Sequence, residues 1–100
     1  MEEIPCTIEK ALNIIGNKWS FLVLKELYDG KKRFNELKRS IHEISPNALT
    51  VTLRHLEKNA IVERTVFPTV PVTVEYELTP KGQAFHSVLK EMKKWGAEWA

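Results

Sequence analysis

The chain has 100 residues, 43% of them hydrophobic, which is room for one ordinary core and leads us to expect a single domain over residues 1–100. One cysteine excludes an internal disulfide, no apolar run is long enough to span a membrane, and Met1-Glu2-Glu3 lacks a secretory signal's layout; a cytoplasmic protein without membrane contact is expected. Net charge is only +2, but residues 30–64 hold eight lysines and arginines against four glutamates, a modest footprint for a polyanion that a solvated lysine-rich surface would equally show.

From about Thr7, Ile8, Ala11, Leu12 and Ile15 recur at helical spacing until Gly16-Asn17 breaks the pattern. A second helix is expected from Lys18 to Tyr28, burying Trp19, Leu22, Val23 and Leu27, with Asp29-Gly30 as a stop that tolerates left-handed geometry. Phe34, Leu37 and Ile41 mark a short amphipathic helix over 34–41, with Lys38 and Arg39 elsewhere on its surface.

Ser45-Pro46 opens the best-defined helix, about 45–60, because a serine N-cap accepts an orphan N–H and proline arrives with its φ already helical. Leu49, Leu53, Leu56 and Ala60 fall within one arc and are expected to face the core. The opposite arc holds Asn47, Val51, Arg54 and Lys58, flanked by Thr50 and His55. Two strand-like runs follow, Ile61 to Phe67 and Val72 to Leu78, the latter alternating as Val72, Val74, Tyr76 and Leu78. Pro68-Thr69-Val70-Pro71 between them reads as a hairpin tip whose prolines discourage edge pairing. Thr79-Pro80 repeats the cap-then-proline device, and Phe85, Val88, Leu89, Met92, Trp95 and Trp99 mark one face of a single terminal helix.

Helices followed by a two-stranded hairpin give a mainly α fold with a small β-hairpin wing, the layout of a winged helix-turn-helix. Such a layout presents two elements to one duplex: the 45–60 helix to the major groove and the hairpin, residues 62–78, to an adjacent backbone or minor groove. Asn47 and Arg54 then suit paired hydrogen bonds to base edges, Thr50 or Val51 suits a thymine methyl, and His55 offers a further base contact. Lys31, Lys32, Arg33, Lys38, Arg39, Ser45, Lys58, Arg64 and Thr69 are placed against phosphates, which contribute affinity without sequence information. The alternative is a winged-helix protein-interaction module without DNA binding, although such a face should be richer in aromatics and poorer in lysine.

The chain resembles the HxlR-type family of bacterial transcription regulators from Cys6 almost to its last residue. The matching residues are Cys6, Ala11-Leu12, Ile15-Gly16, Lys18-Trp19, RFNEL at 33–37 and ISPNALT at 44–50. Leu53-Arg54, Leu56-Glu57, VFPTVPVTVEYELT at 66–79 and Gly82 continue the match. The resemblance implies a homodimer that represses or activates a neighbouring gene, with a recognition helix beginning at Pro46.

Residues argue for a homodimer as well. Met92, Trp95 and Trp99 near the end, and Ile8, Leu12 and Ile15 near the start, form two apolar stripes that a domain of this size cannot easily cover, so N- and C-terminal helices are expected to dimerise. A two-fold dimer would place its recognition helices about 34 Å apart and require a palindromic operator of double-stranded DNA. The residues name no inducer. Cys6 admits two readings: a redox-sensing thiol activated by a helix start and Lys10, as some members of the resembled family sense oxidants near this position, or a small apolar side chain opposed by Glu2, Glu3 and Glu9. His42, His55 and His86 sit in three elements without ligand spacing, so no metal or other cofactor is expected. One aspartate, no glycine-rich phosphate loop and no nucleophile with a nearby base argue against an enzyme.

Overall fold

Asn17 and Ser45 stop the chain from drifting into one long helix: each side chain accepts a hydrogen bond from the backbone N–H three residues on, Ser20 and Ala48 respectively, at 3.0 Å. The computed structural model describes residues 7–100, which run α1 (Thr7–Ile14), α2 (Lys18–Leu27), β1 (Lys32–Arg33), α3 (Phe34–Ser40), α4 (Pro46–Lys58), β2 (Val62–Phe67), β3 (Thr73–Leu78), α5 (Pro80–Ala84) and α6 (His86–Trp99). Cys6 lies outside the described residues.

α2 ends where expected, with Gly30 at φ 129°, a conformation that costs other residues a Cβ clash. Its buried face is Val23, Leu24 and Leu27, while Trp19 and Leu22 pack half-buried against the core. The third and fourth helices are joined by a turn whose Ile41 and Ile44 are buried and whose Glu43 takes φ 66°, so the two helices dock through their own connection. Leu37 from α3 and Leu49, Leu53 and Leu56 from α4 complete this helical layer.

Ala60 departs from expectation. It is exposed rather than in the core arc, because α4 ends at Lys58 and Ala60 takes φ 60° in the turn that follows. The Ile61 N–H reaches back to the Leu56 carbonyl at 2.9 Å and the Ala60 N–H to that of Glu57 at 3.0 Å, the paired closure of a left-handed helix end. That reversal turns Ile61 and Val62 into the core in Ala60's place.

The sheet has three antiparallel strands in the order β1-β3-β2, not two. β1 pairs Lys32 with Tyr76 and Arg33 with Glu75; at two residues it is too short to show any alternation in sequence. On the long hairpin Arg64 lies opposite Tyr76 and Val62 opposite Leu78. Val72 falls outside β3 and is exposed, whereas Val74, Tyr76 and Leu78 turn inward. At the tip the Val70–Pro71 peptide is cis, and the Thr69 hydroxyl donates to the Pro71 carbonyl at 2.8 Å.

The expected single terminal helix is two. Thr79 caps α5, accepting from the Gly82 N–H at 3.1 Å, and the chain then bends at Phe85, which closes α5 and opens α6. The bend sets the Phe85 ring 6.0 Å from that of Phe21 while α5 stays tied to α2 by the Tyr28 hydroxyl, which donates to the Gly82 carbonyl at 2.8 Å. Only Leu89 of α6 is buried. The rest of the helix projects, which makes the molecule 54 Å long against 34 and 24 Å across. Its radius of gyration of 14.9 Å exceeds the about 13 Å of a compact 100-residue domain.

Candidate nucleic-acid interface

α4 is two-sided. Its inner residues Leu49, Thr52, Leu53 and Leu56 are buried, and Asn47, Val51, Arg54 and Lys58 are exposed on the other side at spacings of four, three and four, so they form one row along the helix. Val51 is 56% exposed in this otherwise polar row. Thr50 is half-buried beside Arg54. His55 is turned from the row toward α1, its Nε2 2.9 Å from the Ile14 carbonyl oxygen, so that nitrogen carries the proton and ties α4 to the end of α1.

The expected phosphate contacts divide by what already holds them. Lys38 is half-buried and Arg39 exposed on α3, and Lys58 is exposed at the end of α4. Lys31 and Arg33 both flank Glu75 of β3, at 3.9 and 3.8 Å. Lys32 points to the opposite face, in register with Tyr76. Arg64 lies 3.7 Å from Glu57. Two of the proposed hydroxyl contacts serve the fold: Ser45 caps α4, and Thr69 bonds within the wing tip, 3.0 Å from the Thr73 hydroxyl. The tip presents Val70, fully exposed, and no cation occurs from residue 65 to residue 80.

Sequence reasoning missed a cleft of about 280 Å³ at the root of the wing, where α4 meets the sheet. Thr50, Arg54 and Glu57 line it from the helix and Arg64 and Tyr76 from the strands, with Leu53 and Phe34 behind. Burial raises the Tyr76 hydroxyl above the ordinary tyrosine range; Arg64 draws it back down, Glu57 pushes it up, and Arg54 lowers it again. The phenol therefore stays protonated at neutral pH and faces the cleft as a donor. A signal for the pair was present: hairpin arms of equal length about Val70 place residue 64 opposite residue 76.

The apolar stripes are partly uncovered. Ile8 and Leu12 on α1 and Val88, Met92, Trp95 and Trp99 on α6 are exposed, the two tryptophans at 63% and 73%, but Ile15 is in the subunit's own core and cannot serve a partner. His42, His55 and His86 remain apart; His86 stacks on Tyr28 at 4.3 Å between ring centroids. Among the described residues no three His, Cys, Asp or Glu side chains gather as metal ligands, and no helix is long and apolar enough to cross a membrane.

A family model described as HxlR-like helix-turn-helix matches residues 14–100. An uncharacterized HTH-type transcriptional regulator of Methanothermobacter thermautotrophicus is 46% identical over 95 residues, covering 95% of this chain and 72% of that protein. Among solved structures, the redox regulator HypR in its oxidized form superposes with a TM-score of 0.89 at 41% identity, covering 95% of this chain and 98% of that one. The reduced form of the transcriptional regulator YodB from Bacillus subtilis superposes at 0.83 with 40% identity, covering 99% and 96%.

Proposed function

Since the chain belongs to the HxlR-like helix-turn-helix family and is a transcriptional regulator by that membership, we propose that it binds a palindromic DNA operator as a homodimer. α4 lies in the major groove, with Asn47 and Arg54 hydrogen-bonded to base edges and Val51 against a thymine methyl. The wing, β2 to β3, reaches the adjacent backbone. The observation that carries this reading is the polar row on α4 with a lone exposed valine, standing opposite a fully buried leucine face. Lys38, Arg39 and Lys58, which have no carboxylate partner within 4.0 Å among the described residues, supply the phosphate contacts.

The dimer is supported by the projecting α6 and the exposed stripe of α1. A helix with Met92, Trp95 and Trp99 in water gains about 25 cal/mol per Å² of apolar surface that a second copy covers. Two-fold symmetry repeats the α4 row about 34 Å away, one DNA turn along.

Selection of bound duplexes from random DNA tests the whole reading: a palindromic consensus is expected, and an asymmetric single site or no enrichment refutes it. On the selected duplex, Arg54→Ala costs about 1–3 kcal/mol and relaxes preference at one base pair, while Lys38→Ala weakens all sequences alike. Equal, sequence-independent losses would contradict the role of Arg54.

Thiol control through Cys6 is the second part of the proposal, supported by the likeness to HypR, a redox regulator by its own description. Diamide takes two electrons in joining the Cys6 sulfur to another thiol, which for a chain with one cysteine comes from a second subunit or a small thiol. Cys6→Ser is expected to bind operator normally and to ignore diamide; an unchanged response in that variant ends the idea.

A further inference from the structure

The cleft at the root of the wing borders the base-reading Arg54, and its other side concentrates donors that the base-reading row does not use. Arg64 and Tyr76 are cross-strand partners on the face turned to α4, and Arg54 and Thr50 approach from the helix. Its one acid is Glu57, so two guanidinium groups and one carboxylate leave a surplus of a single positive charge, matched to one phosphodiester. Glu57 holds Arg64 only loosely: the contact is 3.7 Å and both side chains are more than 40% exposed. A pair of this kind, half in water, exchanges partner readily. Lys32, in register with Tyr76 on the same sheet face, adds positive potential nearby.

We propose that this cleft seats one backbone phosphate of the duplex, with Arg64 and the Tyr76 hydroxyl as its donors and Glu57 as the carboxylate that the phosphate displaces from Arg64. The inference rests on the DNA-binding reading above. A duplex strand that separates the groove entered by α4 from the groove approached by the wing must cross the junction of the two elements, and the cleft is that junction. Tyr76 contributes because its hydroxyl remains a protonated donor there, and because a phenol brings no charge that would bind ions indiscriminately. Glu57 sets the threshold: it keeps Arg64 extended over the cleft without a ligand and opposes weak or misplaced anions.

The test measures full-length chain binding to its selected duplex and to a scrambled duplex, for the natural sequence, Tyr76→Phe and Glu57→Gln. Tyr76→Phe keeps the ring and is expected to lose about fivefold on both duplexes. Glu57→Gln is expected to gain about two- to threefold on both, a direction that misfolding does not produce. A duplex with a neutral methylphosphonate at one position per half-site should bind the natural chain more weakly, and this penalty should be smaller in Tyr76→Phe, where Arg64 alone still meets the phosphate. Variants that bind like the natural chain, a weaker Glu57→Gln, or additive penalties overturn the cleft assignment while leaving DNA binding intact. No binding of the natural chain to any duplex at low salt instead overturns the DNA reading beneath it. Inorganic phosphate at constant ionic strength is expected to compete no better than chloride; saturable phosphate binding that leaves duplex affinity unchanged assigns the cleft to a free anion and overturns the proposal.

Discussion

Gly82 is where the hairpin, the turn after α4 and the terminal helices meet, and Gly82→Ala tests whether that junction holds the site together. A Cβ built there lies 2.4 Å from the Ile61 carbonyl oxygen, 3.1 Å from Leu78 Cδ2 and 3.3 Å from Ile61 Cγ2. An ordinary carbon-to-oxygen contact is about 3.3 Å, so α5 must retreat by about 0.9 Å. The retreat stretches the Tyr28 hydroxyl bond to the Gly82 carbonyl, now 2.8 Å, and the Thr79 N–H bond to the Ile61 carbonyl, now 3.1 Å. Two weakened hydrogen bonds cost about 1 kcal/mol each and overpacking about 1–3 kcal/mol. Alanine returns about 0.5–1 kcal/mol by its better helix propensity. The net is a loss of about 2–4 kcal/mol, which for 100 residues lowers the thermal midpoint by about 10–20 °C. Melting followed by circular dichroism measures the shift, and DNA affinity should fall with it because Ile61 sits between α4 and β2. A variant that melts at or above the natural midpoint would refute the close approach at Gly82 and the role given to it.

Two further outcomes are expected. Trp95→Ala combined with Trp99→Ala should sediment as a monomer at concentrations where the natural chain is a dimer, with helical content kept because both side chains are exposed; a natural chain that is itself monomeric removes the dimer. Burial raises the Tyr28 hydroxyl above its ordinary value near 10, and burial likewise raises Tyr76, so above pH 10 the unfolded chain releases these protons before the folded one. Folding stability is therefore fully present below pH 10 and falls as pH rises through the folded values; urea midpoints should show this decline and Tyr28→Phe with Tyr76→Phe should flatten it, whereas an equal decline in that double variant refutes the assignment.

The elements with strong local chemistry were legible: capped starts at Ser45 and Thr79, the stop at Gly30 and the period-two run of β3 all stand close to where periodicity puts them. What could not be read is set by tertiary contacts. Ala60 has the right spacing for the core arc of α4, but the need to turn Ile61 and Val62 inward ends the helix two residues earlier and puts Ala60 in a left-handed turn. The break at Phe85 has no glycine or proline to announce it, because it follows from seating that ring beside Phe21 while Gly82 is held against Tyr28. Ile15 continues the stripe of Ile8 and Leu12 by spacing, yet it lies one residue past the end of α1, where the chain has already turned toward the core.

Charge shows the limit most clearly. Counting along the chain credits residues 30–64 with a surplus of four positive charges, but pairing does not respect the segment: Glu75, outside it, takes both Lys31 and Arg33, and Glu57, within it, takes Arg64. Five of the eight cations, Lys32, Lys38, Arg39, Arg54 and Lys58, have no ion-pair partner among the described residues, and four of the five lie on α3 and α4, the two helices of the helix-turn-helix, rather than on the sheet. Long-range attraction of a polyanion follows the sum, since beyond about 8 Å in physiological salt individual pairs are no longer resolved. Contact follows the register instead, because a cation beside a weakly held acid binds only by exchanging partners. Glu57 on α4 and Glu75 on β3 hold their cations on opposite sides of one sheet, and the face turned toward α4 is the one that carries Arg64 and Tyr76.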